Sequence, residues 1–348
     1  MKTIEEFVAL AKEMGASDLH FICGQPPKVR LDGELRNMEE PVLTAEDCED
    51  LAKFLSKGHY EEIQNIGELD GSDDFAGNRC RIHIFRAQGV PSIALRILSE
   101  HIPELSTLGL PPAALDLINL HKGIILVTGE TGSGKSTTLA ALIDTINRSQ
   151  RKHIVTLEDP VEYIYHPVLS AINQREVGRD TKSFSEGLRA SLREDPDVIL
   201  IGEMRDRDTI EIAITAAETG HLVFGTLHTS SAADSVDRMV QVFPEGGQQQ
   251  IRLQLSMVLN AVLSQQLVPK IGGGRTLACE YMVVTDAIRN LIRSGNTPQI
   301  ANAVATSADL GGQTMDQALV RLVREKKITK DTALLFAKDL QYVKRNAF

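Results

Sequence analysis

The chain has 348 residues, 42% of them hydrophobic, which is enough for about two domains of roughly 150 residues each. The formal net charge of -10 disfavours sequence-independent binding of nucleic acid, and four cysteines without CxxC spacing indicate neither a zinc site nor a disulfide framework. No segment approaches the roughly 18 apolar residues of a membrane span, and Glu5 and Glu6 interrupt any apolar core of a signal peptide, so we expect a cytoplasmic protein.

Residues 1–98 are predicted to form a small α+β domain with an antiparallel sheet. Thr3-x-x-Glu6 is a capping box before apolar residues at helical spacing, so a helix is expected to begin there and to end near Gly15. Extended runs follow, and Asp32-Gly33 between alternating apolar flanks predicts a two-residue hairpin turn. A further strand pair, RCRIHIF and SIALRIL, closes the domain near residue 98.

Residues 99–112, SEHIPELSTLGLPP, contain three prolines and are predicted to form a linker. Residues 113–284 alternate apolar strands with helical stretches, which predicts an α/β domain whose parallel sheet is covered on both faces. Its predicted strands are IILVT (124–128), HIVTLE (153–158), VILI (198–201) and LVFGTLH (222–228). Residues 285–348 are predicted to be a helical C-terminal region. Its apolar faces at helical spacing are Ile288, Leu291 and Ile292, then Met315, Leu319, Leu322 and Val323.

The sequence GETGSGKS, which follows the first of these strands, matches the Walker A pattern GxxxxGK[ST] completely. Its glycines allow backbone N–H groups to surround phosphates, and the following helix adds the positive end of its dipole. We expect Lys135 to reach the β- and γ-phosphates and the Ser136 hydroxyl to coordinate Mg²⁺. The motif therefore predicts ATP and Mg²⁺ as ligands. The candidate nucleotide-binding residues are Gly129, Glu130, Thr131, Gly132, Ser133, Gly134, Lys135, Ser136 and Thr137.

Acidic residues follow two of the predicted strands. VTLEDPVEY supplies Glu158, Asp159 and Glu162; Glu162 is the candidate for ordering water on Mg²⁺, and a solvated acidic loop is the alternative. After VILI, where an ordinary P-loop NTPase has an Asp that helps hold Mg²⁺, this chain has Gly202 and then Glu203. Glu203 is the candidate for activating the attacking water, and a buried structural carboxylate is the alternative. Either glutamate could contact the metal through water.

Two histidines bracket the apolar strand within ETGHLVFGTLHT. A single histidine at a strand end is more often a structural group than a catalyst, but two around one strand of this sheet favour a role linked to the nucleotide. His228 lies at the carboxyl end, where it is predicted to sense a γ-phosphate through a hydrogen bond. His221 lies at the other end, so a subunit interface is its alternative role.

Four blocks stand in order along the chain: GETGSGKS, VTLEDPVEY, DPDVILIGEMRD and ETGHLVFGTLHT. Together they resemble the Walker A motif, Asp box, atypical Walker B motif and His box of the secretion-superfamily ATPases, whose Walker B motif also has Gly before the working Glu. The resemblance continues through GASDLHFICGQPPKVRLDGE, which is similar to the family's opening block, and NQREVGRDTKSFSEGLRASLREDPD, similar to its central block. It implies a RecA-like P-loop NTPase domain, a smaller N-terminal PAS-like α+β domain and a helical C-terminal region.

Within the superfamily, the chain most resembles the PilT-type pilus retraction ATPases. It opens on the GASDLH domain, whereas assembly and secretion relatives usually carry an additional N-terminal domain. QQLVPKIGGGRTLACEYM contains Cys279 alone, where those relatives commonly insert a tetracysteine zinc module. AIRNLIR (287–293) resembles the retraction-motor signature helix. The family pattern continues with Glu, whereas this chain has Ser294-Gly295, so an accessory paralogue is an open alternative.

The resemblance implies a homohexameric ring that holds ATP between the small domain and the nucleotide domain. The family's strand arginines correspond to Arg81 in RCRIH and Arg96 in ALRIL, which are expected to reach the γ-phosphate when the domains close. A planar guanidinium binds phosphate oxygens through paired hydrogen bonds, and a surface ion pair is the alternative for each arginine. The implied partners are an inner-membrane platform protein, which would hold the ring at the membrane's inner face, and a paralogous ATPase.

Three rival functions stay open on the sequence alone. The same enzyme class could power pilus extension, type II secretion or type IV secretion. A nucleic-acid translocase could use the same RecA-like core, although the acidic net charge counts against it. A regulator that binds nucleotide without hydrolysing it is the third, and the presence of Lys135, Ser136, Glu162 and Glu203 argues against it.

Overall fold

The structure is a computed structural model that describes residues 2–31, 34–98 and 101–347. The strands in these ranges are β1 (Asp18–Phe21), β2 (Lys28–Leu31), β3 (Glu34–Asn37), β4 (Glu68–Phe75), β5 (Asn78–Ala87), β6 (Val90–Ile97), β7 (Gly123–Thr128), β8 (His153–Glu158), β9 (Ala171–Glu176), β10 (Val198–Ile201), β11 (Leu222–Leu227), β12 (Leu259–Pro269) and β13 (Arg275–Val283). The helices are α1 (Ile4–Glu13), α2 (Ala45–Leu55), α3 (Tyr60–Asn65), α4 (Lys135–Ser149), α5 (Phe184–Ser191), α6 (Arg207–Glu218), α7 (Ala232–Gln241), α8 (Glu245–Val258), α9 (Asp286–Ser294), α10 (Ile300–Ala305), α11 (Met315–Arg324), α12 (Lys330–Phe336) and α13 (Leu340–Asn346).

The chain divides into two compact units. The small unit comprises Met1–His101 together with Asp159–Ile164, and the large unit comprises Ile102–Glu158 together with Tyr165–Phe348. The segment Asp159–Ile164 therefore leaves the sheet of the large unit after β8 and clusters with the small unit. Among the residues described, no helix is both long and apolar enough to cross a bilayer.

The small unit is built on a six-stranded antiparallel sheet in the order β3-β2-β1-β6-β5-β4. The capping box predicted at the start of α1 is confirmed: the side chains of Thr3 and Glu6 each accept a hydrogen bond from the other's backbone N–H. Gln88 and Gly89, both at positive φ, form the tight connection of the β5–β6 hairpin. The turn predicted at Asp32-Gly33 lies outside the described residues. The apolar core of this unit includes Phe7 and Phe21, whose rings pack in a T-shaped arrangement.

The large unit contains a seven-stranded sheet in the order β13-β12-β7-β11-β10-β8-β9. The four strands predicted from the sequence are confirmed as β7, β8, β10 and β11, with ends that differ by one residue at most. These four strands are parallel, as predicted, whereas β13, the outermost strand on one side of the sheet, runs antiparallel to β12. A tight turn at residues 272–274, three glycines at positive φ, makes this hairpin possible.

Helices cover both faces of the parallel strands, as the sequence predicts. Every residue of β7, β10 and β11 is buried, which requires protein on each face because alternate side chains point to opposite sides. The C-terminal helices α11 to α13 pack around a separate apolar cluster that includes Val268 and Ala278 of the β12–β13 hairpin. This confirms a helical C-terminal region.

The parallel strands have two functionally different edges. We call the edge where β7, β8, β10 and β11 end the carboxyl edge, and the edge where they begin the amino edge. Ligands of α/β sheets bind at the carboxyl edge, where strands give way to loops and helix N-termini.

Candidate active site

The Walker A loop joins β7 to α4 at the carboxyl edge. Its glycines at 129, 132 and 134 have φ values of +140°, +80° and +92°, a region that side-chain-bearing residues rarely adopt. A Cβ at Gly129 would also lie 2.4 Å from the backbone oxygen of Gln265 on β12. The backbone conformation of the loop therefore favours glycine at all three positions, and at Gly129 the neighbouring strand also excludes a side chain.

Lys135 folds back over the loop that precedes it. Its Nζ donates hydrogen bonds to the backbone oxygens of Gly129 and Glu130, at 2.8 and 2.9 Å. These contacts hold the ammonium beside the cradle that the loop forms. Ser133 Oγ is buried, with no hydrogen-bond partner among the described residues, so the loop also contains a polar atom that a phosphate oxygen could satisfy. Together with the start of the fifteen-residue helix α4, these features fit the phosphates of a nucleoside triphosphate.

Gly202, at the position where an Asp is usual, is closely packed against the adjacent strand. Its N–H donates to the Leu157 oxygen at 2.7 Å, and its own carbonyl accepts from the Thr226 hydroxyl. A Cβ here would lie 3.1 Å from the Leu157 oxygen and 3.3 Å from the Glu158 Cα. Because these are backbone atoms of the adjacent strand, a side chain at this position would require that strand to shift by a few tenths of an ångström. The carboxylate follows one residue later along the chain, at Glu203.

The structure brings Glu203 and His228 together. His228 Nε2 lies 3.2 Å from Glu203 Oε1, although the two residues follow different strands. The Glu203 side chain is 19% exposed, so it is sheltered and still accessible to water. The Arg205 Nε contacts the same Glu203 oxygen. The sequence analysis did not identify Arg205. The pattern that could have indicated it is a cation two residues after a candidate catalytic carboxylate.

The acidic block after β8 is divided between the two units. Glu158 stays in the large unit, where its Oε1 accepts hydrogen bonds from Thr156 Oγ1 at 2.6 Å and Gln174 Nε2 at 3.2 Å. Asp159 and Glu162 lie in the segment that clusters with the small unit, where the Val161 oxygen accepts a hydrogen bond from Arg79 Nε at 3.3 Å. The role of Glu162 at the metal stays a prediction.

Arg81 and Arg96 lie directly opposite each other on the antiparallel strands β5 and β6 of the small unit. Two like charges at paired positions repel, which is unfavourable unless anions are near. Asp18 supplies one, since its Oδ1 accepts from Arg96 Nε at 2.8 Å, and Asp70 lies 3.9 Å from Arg81. Burial raises the pKa of Asp18, but hydrogen bonds from Ser17 and Arg96 outweigh it and lower the pKa overall. The pairing places two guanidinium groups on one face.

His221 is at the amino edge, one residue before β11, while His228 is one residue after that strand. At about 3.3 Å per residue, the strand separates the two histidines by roughly 23 Å. The His221 Nδ1 donates to the backbone oxygen of Ala216 at 2.9 Å, which ties the end of α6 to the start of the strand. This hydrogen bond gives His221 a structural role. Its role at a subunit interface stays a prediction.

The chain is similar to known proteins in sequence and in fold. The family described as "Type II/IV secretion system protein" matches residues 78–273. The "Type IV pilus retractation ATPase PilT" of Pseudomonas aeruginosa is 44% identical, over 95% of this chain and 96% of that protein. The "Type IV pilus ATPase PilU" of the same organism is 35% identical, over 96% and 88%. A crystal structure described as "the Pilus Retraction Motor PilT and Bound ADP" superposes with a TM-score of 0.92 at 45% identity, covering 99% and 100% of the two chains.

These similarities extend over both units, and the range matched by the family contains the positions of the loop, carboxylate and histidine described above. A nearly full-length match at this identity implies the same fold. The chain therefore belongs to the Type II/IV secretion system protein family and is a P-loop ATPase of the PilT type.

Proposed function

We propose that this chain is the motor of type IV pilus retraction, the activity that drives twitching motility. The observation that carries the proposal is its similarity to a pilus retraction ATPase along nearly the whole of both chains. The paired Glu203 and His228 at the carboxyl edge support an enzyme that hydrolyses ATP over a regulator that only binds it. The absence of a tetracysteine block around Cys279 further favours retraction over assembly or secretion.

In the proposed reaction, Lys135 binds the β- and γ-phosphates and Glu203 activates the attacking water. His228 senses the γ-phosphate, a role its contact with Glu203 supports. When bound, Mg²⁺ neutralises charge on the phosphates; Ser136 would hold it, with Glu162 or Glu203 acting through water.

Arg81 and Arg96 are proposed to bind the γ-phosphate when the small unit closes on the nucleotide. Their paired positions support this, because two adjacent guanidinium groups can share one multiply charged anion. Hydrolysis removes the γ-phosphate and so the contacts that hold the domains closed, and the small unit then opens. The 99–112 linker is the proposed hinge between the 1–98 and 113–284 domains.

The proposed assembly is a homohexameric ring in which successive closures move a partner at the centre. The partner is proposed to be the cytoplasmic part of an inner-membrane platform protein, which would hold the ring at the inner face of the membrane. A paralogous ATPase is a second proposed partner, and no nucleic acid is expected.

The pilus phenotype of a Lys135→Ala strain tests the function. A retraction motor without ATP turnover leaves cells with excess pili that do not twitch. Cells without pili would identify an extension motor instead, and normal pili with blocked export would identify a secretion motor. Stimulation of the purified ATPase by DNA, with an affinity that falls steeply with salt, would favour the translocase.

An accessory paralogue is the second candidate, because the signature helix α9 departs from the family pattern. It ends at Ser294, whose hydroxyl donates to the Leu291 oxygen, and Gly295 at φ +73° terminates it. Expression of this chain in a strain without any other retraction ATPase separates the two. Restored twitching supports the motor, and twitching that requires a second ATPase supports the accessory role.

A further inference from the structure

The loop that follows His228 is held at each of four successive residues. We call Thr229–Ala232 the post-histidine loop; it leads from β11 into α7 and ends on the first residue of that helix. Thr229 Oγ1 bonds to Ser235 Oγ at 2.7 Å, and the Ser231 oxygen accepts from the same hydroxyl at 2.6 Å. The Ser230 oxygen and the Ala232 N–H are bound by Lys338 and Glu280, as described below. Hydrogen bonds therefore hold this loop along its whole length.

Ser235 is the inner anchor. A serine hydroxyl has one proton, and the short contact to the Ser231 oxygen uses it, so Ser235 Oγ accepts the proton of Thr229. Ser235 is fully buried, and its Oγ lies 3.5 Å from the hydroxyl of Thr128, the residue before the Walker A loop. One side chain thereby fixes the residue next to His228 beside the strand that carries the phosphate cradle.

Glu280 and Lys338 are the outer anchors. Glu280 Oε1, on β13, accepts from the Ala232 N–H at 2.7 Å. Lys338 Nζ, between α12 and α13, donates to the Ser230 oxygen at 2.8 Å and lies 3.9 Å from Glu280 Oε2. The loop after His228 is thus bound by the helical C-terminal region and the β12–β13 hairpin as well as by its own helix.

We propose that Ser235 and Lys338 are positioning residues for the ATPase reaction, acting by holding the His228 imidazole against Glu203. The inference rests on the role proposed above for His228 in turnover. It adds that the C-terminal region, far along the sequence from the Walker A motif, sets the geometry of the nucleotide site. Small displacements of a catalytic group are costly, since about 1 Å can lower a rate roughly 100-fold.

The test compares steady-state ATP hydrolysis by the purified full-length chain and four variants. Ser235→Ala is expected to lower kcat about tenfold with little change in KM for ATP, because the phosphate cradle is untouched. Its matched control is Ser191→Ala, which removes another fully buried helical hydroxyl bonded to a backbone oxygen, that of Leu188 at 2.8 Å. Lys338→Met is expected to lower kcat about threefold, with exposed Lys344→Met as its control.

A His228→Ala background distinguishes the inference from the function on which it rests. If Ser235 acts through His228, the double variant is no slower than His228→Ala alone. Equal losses in both backgrounds, or a Ser235→Ala variant as active as its Ser191→Ala control, would overturn the positioning role. Undiminished kcat in His228→Ala itself refutes the proposed role of His228. Should Ser235→Ala fail to fold, as judged by its melting curve, Lys338→Met in the same two backgrounds decides the question.

Discussion

The two edges of the large sheet contain similar residues in different arrangements. At the carboxyl edge, the side chains of Arg205 and His228 each contact the Glu203 carboxylate. At the amino edge, His153 and Asp197 also lie close, but each is tied to the backbone as well as to a side chain. Asp197 Oδ2 accepts from the His153 N–H at 2.9 Å and Asp197 Oδ1 from Lys152 Nζ at 3.2 Å. His153 Nδ1 bonds to the Asp195 oxygen at 3.1 Å and His153 Nε2 to Asn173 Oδ1 at 2.9 Å. Residue type does not distinguish the two edges; the hydrogen bonds to backbone at the amino edge do.

This difference shows what each edge can do. Groups whose hydrogen bonds end on the backbone hold strands and loops in register and have little freedom to bind a ligand. Groups held by each other, at an edge where loops and a helix N-terminus converge, can exchange those contacts for a phosphate or a water. The predictions below test whether chemistry is confined to the carboxyl edge, in order of expected effect.

Glu203→Gln should give the largest effect. We expect kcat to fall by about 100-fold or more, because a general base typically contributes 10²–10⁴ to the rate. Affinity for ATP should persist, since the Walker A loop does not depend on this charge. Asp197→Asn is the matched change at the amino edge and should leave kcat unaltered. Steady-state kinetics with equilibrium nucleotide binding measures both. Equal losses of kcat in the two variants would show that catalysis is not confined to the carboxyl edge.

Gly202→Asp tests the close packing at the position where an Asp is usual. The added side chain presses on the backbone of the adjacent strand, so the free energy of unfolding should fall by about 1–3 kcal/mol. Gly246→Ala is the control, because a Cβ there meets nothing within 4 Å. Denaturant titration measures both changes. A Gly202→Asp protein as stable as the wild type would show that space does not exclude the usual Asp.

The pH dependence of stability tests the structural role of His153 at the amino edge. Burial lowers the pKa of His153, but its bonds to Asn173 Oδ1 and the Asp195 oxygen outweigh this and raise the pKa above 6.5 overall. A raised pKa means that protonated His153 stabilises the fold below about pH 6.5, and that this contribution is lost as the pH rises through the folded-state pKa.

Urea titrations between about pH 5 and pH 8 should therefore show a small advantage of wild type over His153→Gln that shrinks as pH increases. Turnover per folded molecule should be the same in both proteins. An advantage that grows with pH would mean that the neutral imidazole is the stabilising form.

Much of the fold could be predicted from local pattern. The capping box at Thr3 and the strands around Ile124 and Ile199 are encoded within a few residues each, because capping and burial on two faces are local demands on the chain. β9 and the β12–β13 hairpin were not predicted. Their residues mix polar and apolar types, and their places depend on strands far away in the sequence.

The candidate site divides in the same way. The Walker A loop was predicted in full, whereas Arg205, Ser235 and Lys338 were not identified as parts of the site. Each acts through a partner that only the packed sheet supplies. The assignment of Glu162 to the segment that clusters with the small unit is likewise absent from any local pattern.

By itself, the sequence determined the phosphate cradle, because a strand, a glycine loop and a helix start lie within a few consecutive residues and their chemistry is self-contained. Tertiary structure decided which carboxylate and which histidine meet, since parallel strands bring their ends to one edge irrespective of separation along the chain. It also decided the anchoring of the post-histidine loop. Lys338 reaches Ser230 only because the C-terminal helices pack beside the β12–β13 hairpin.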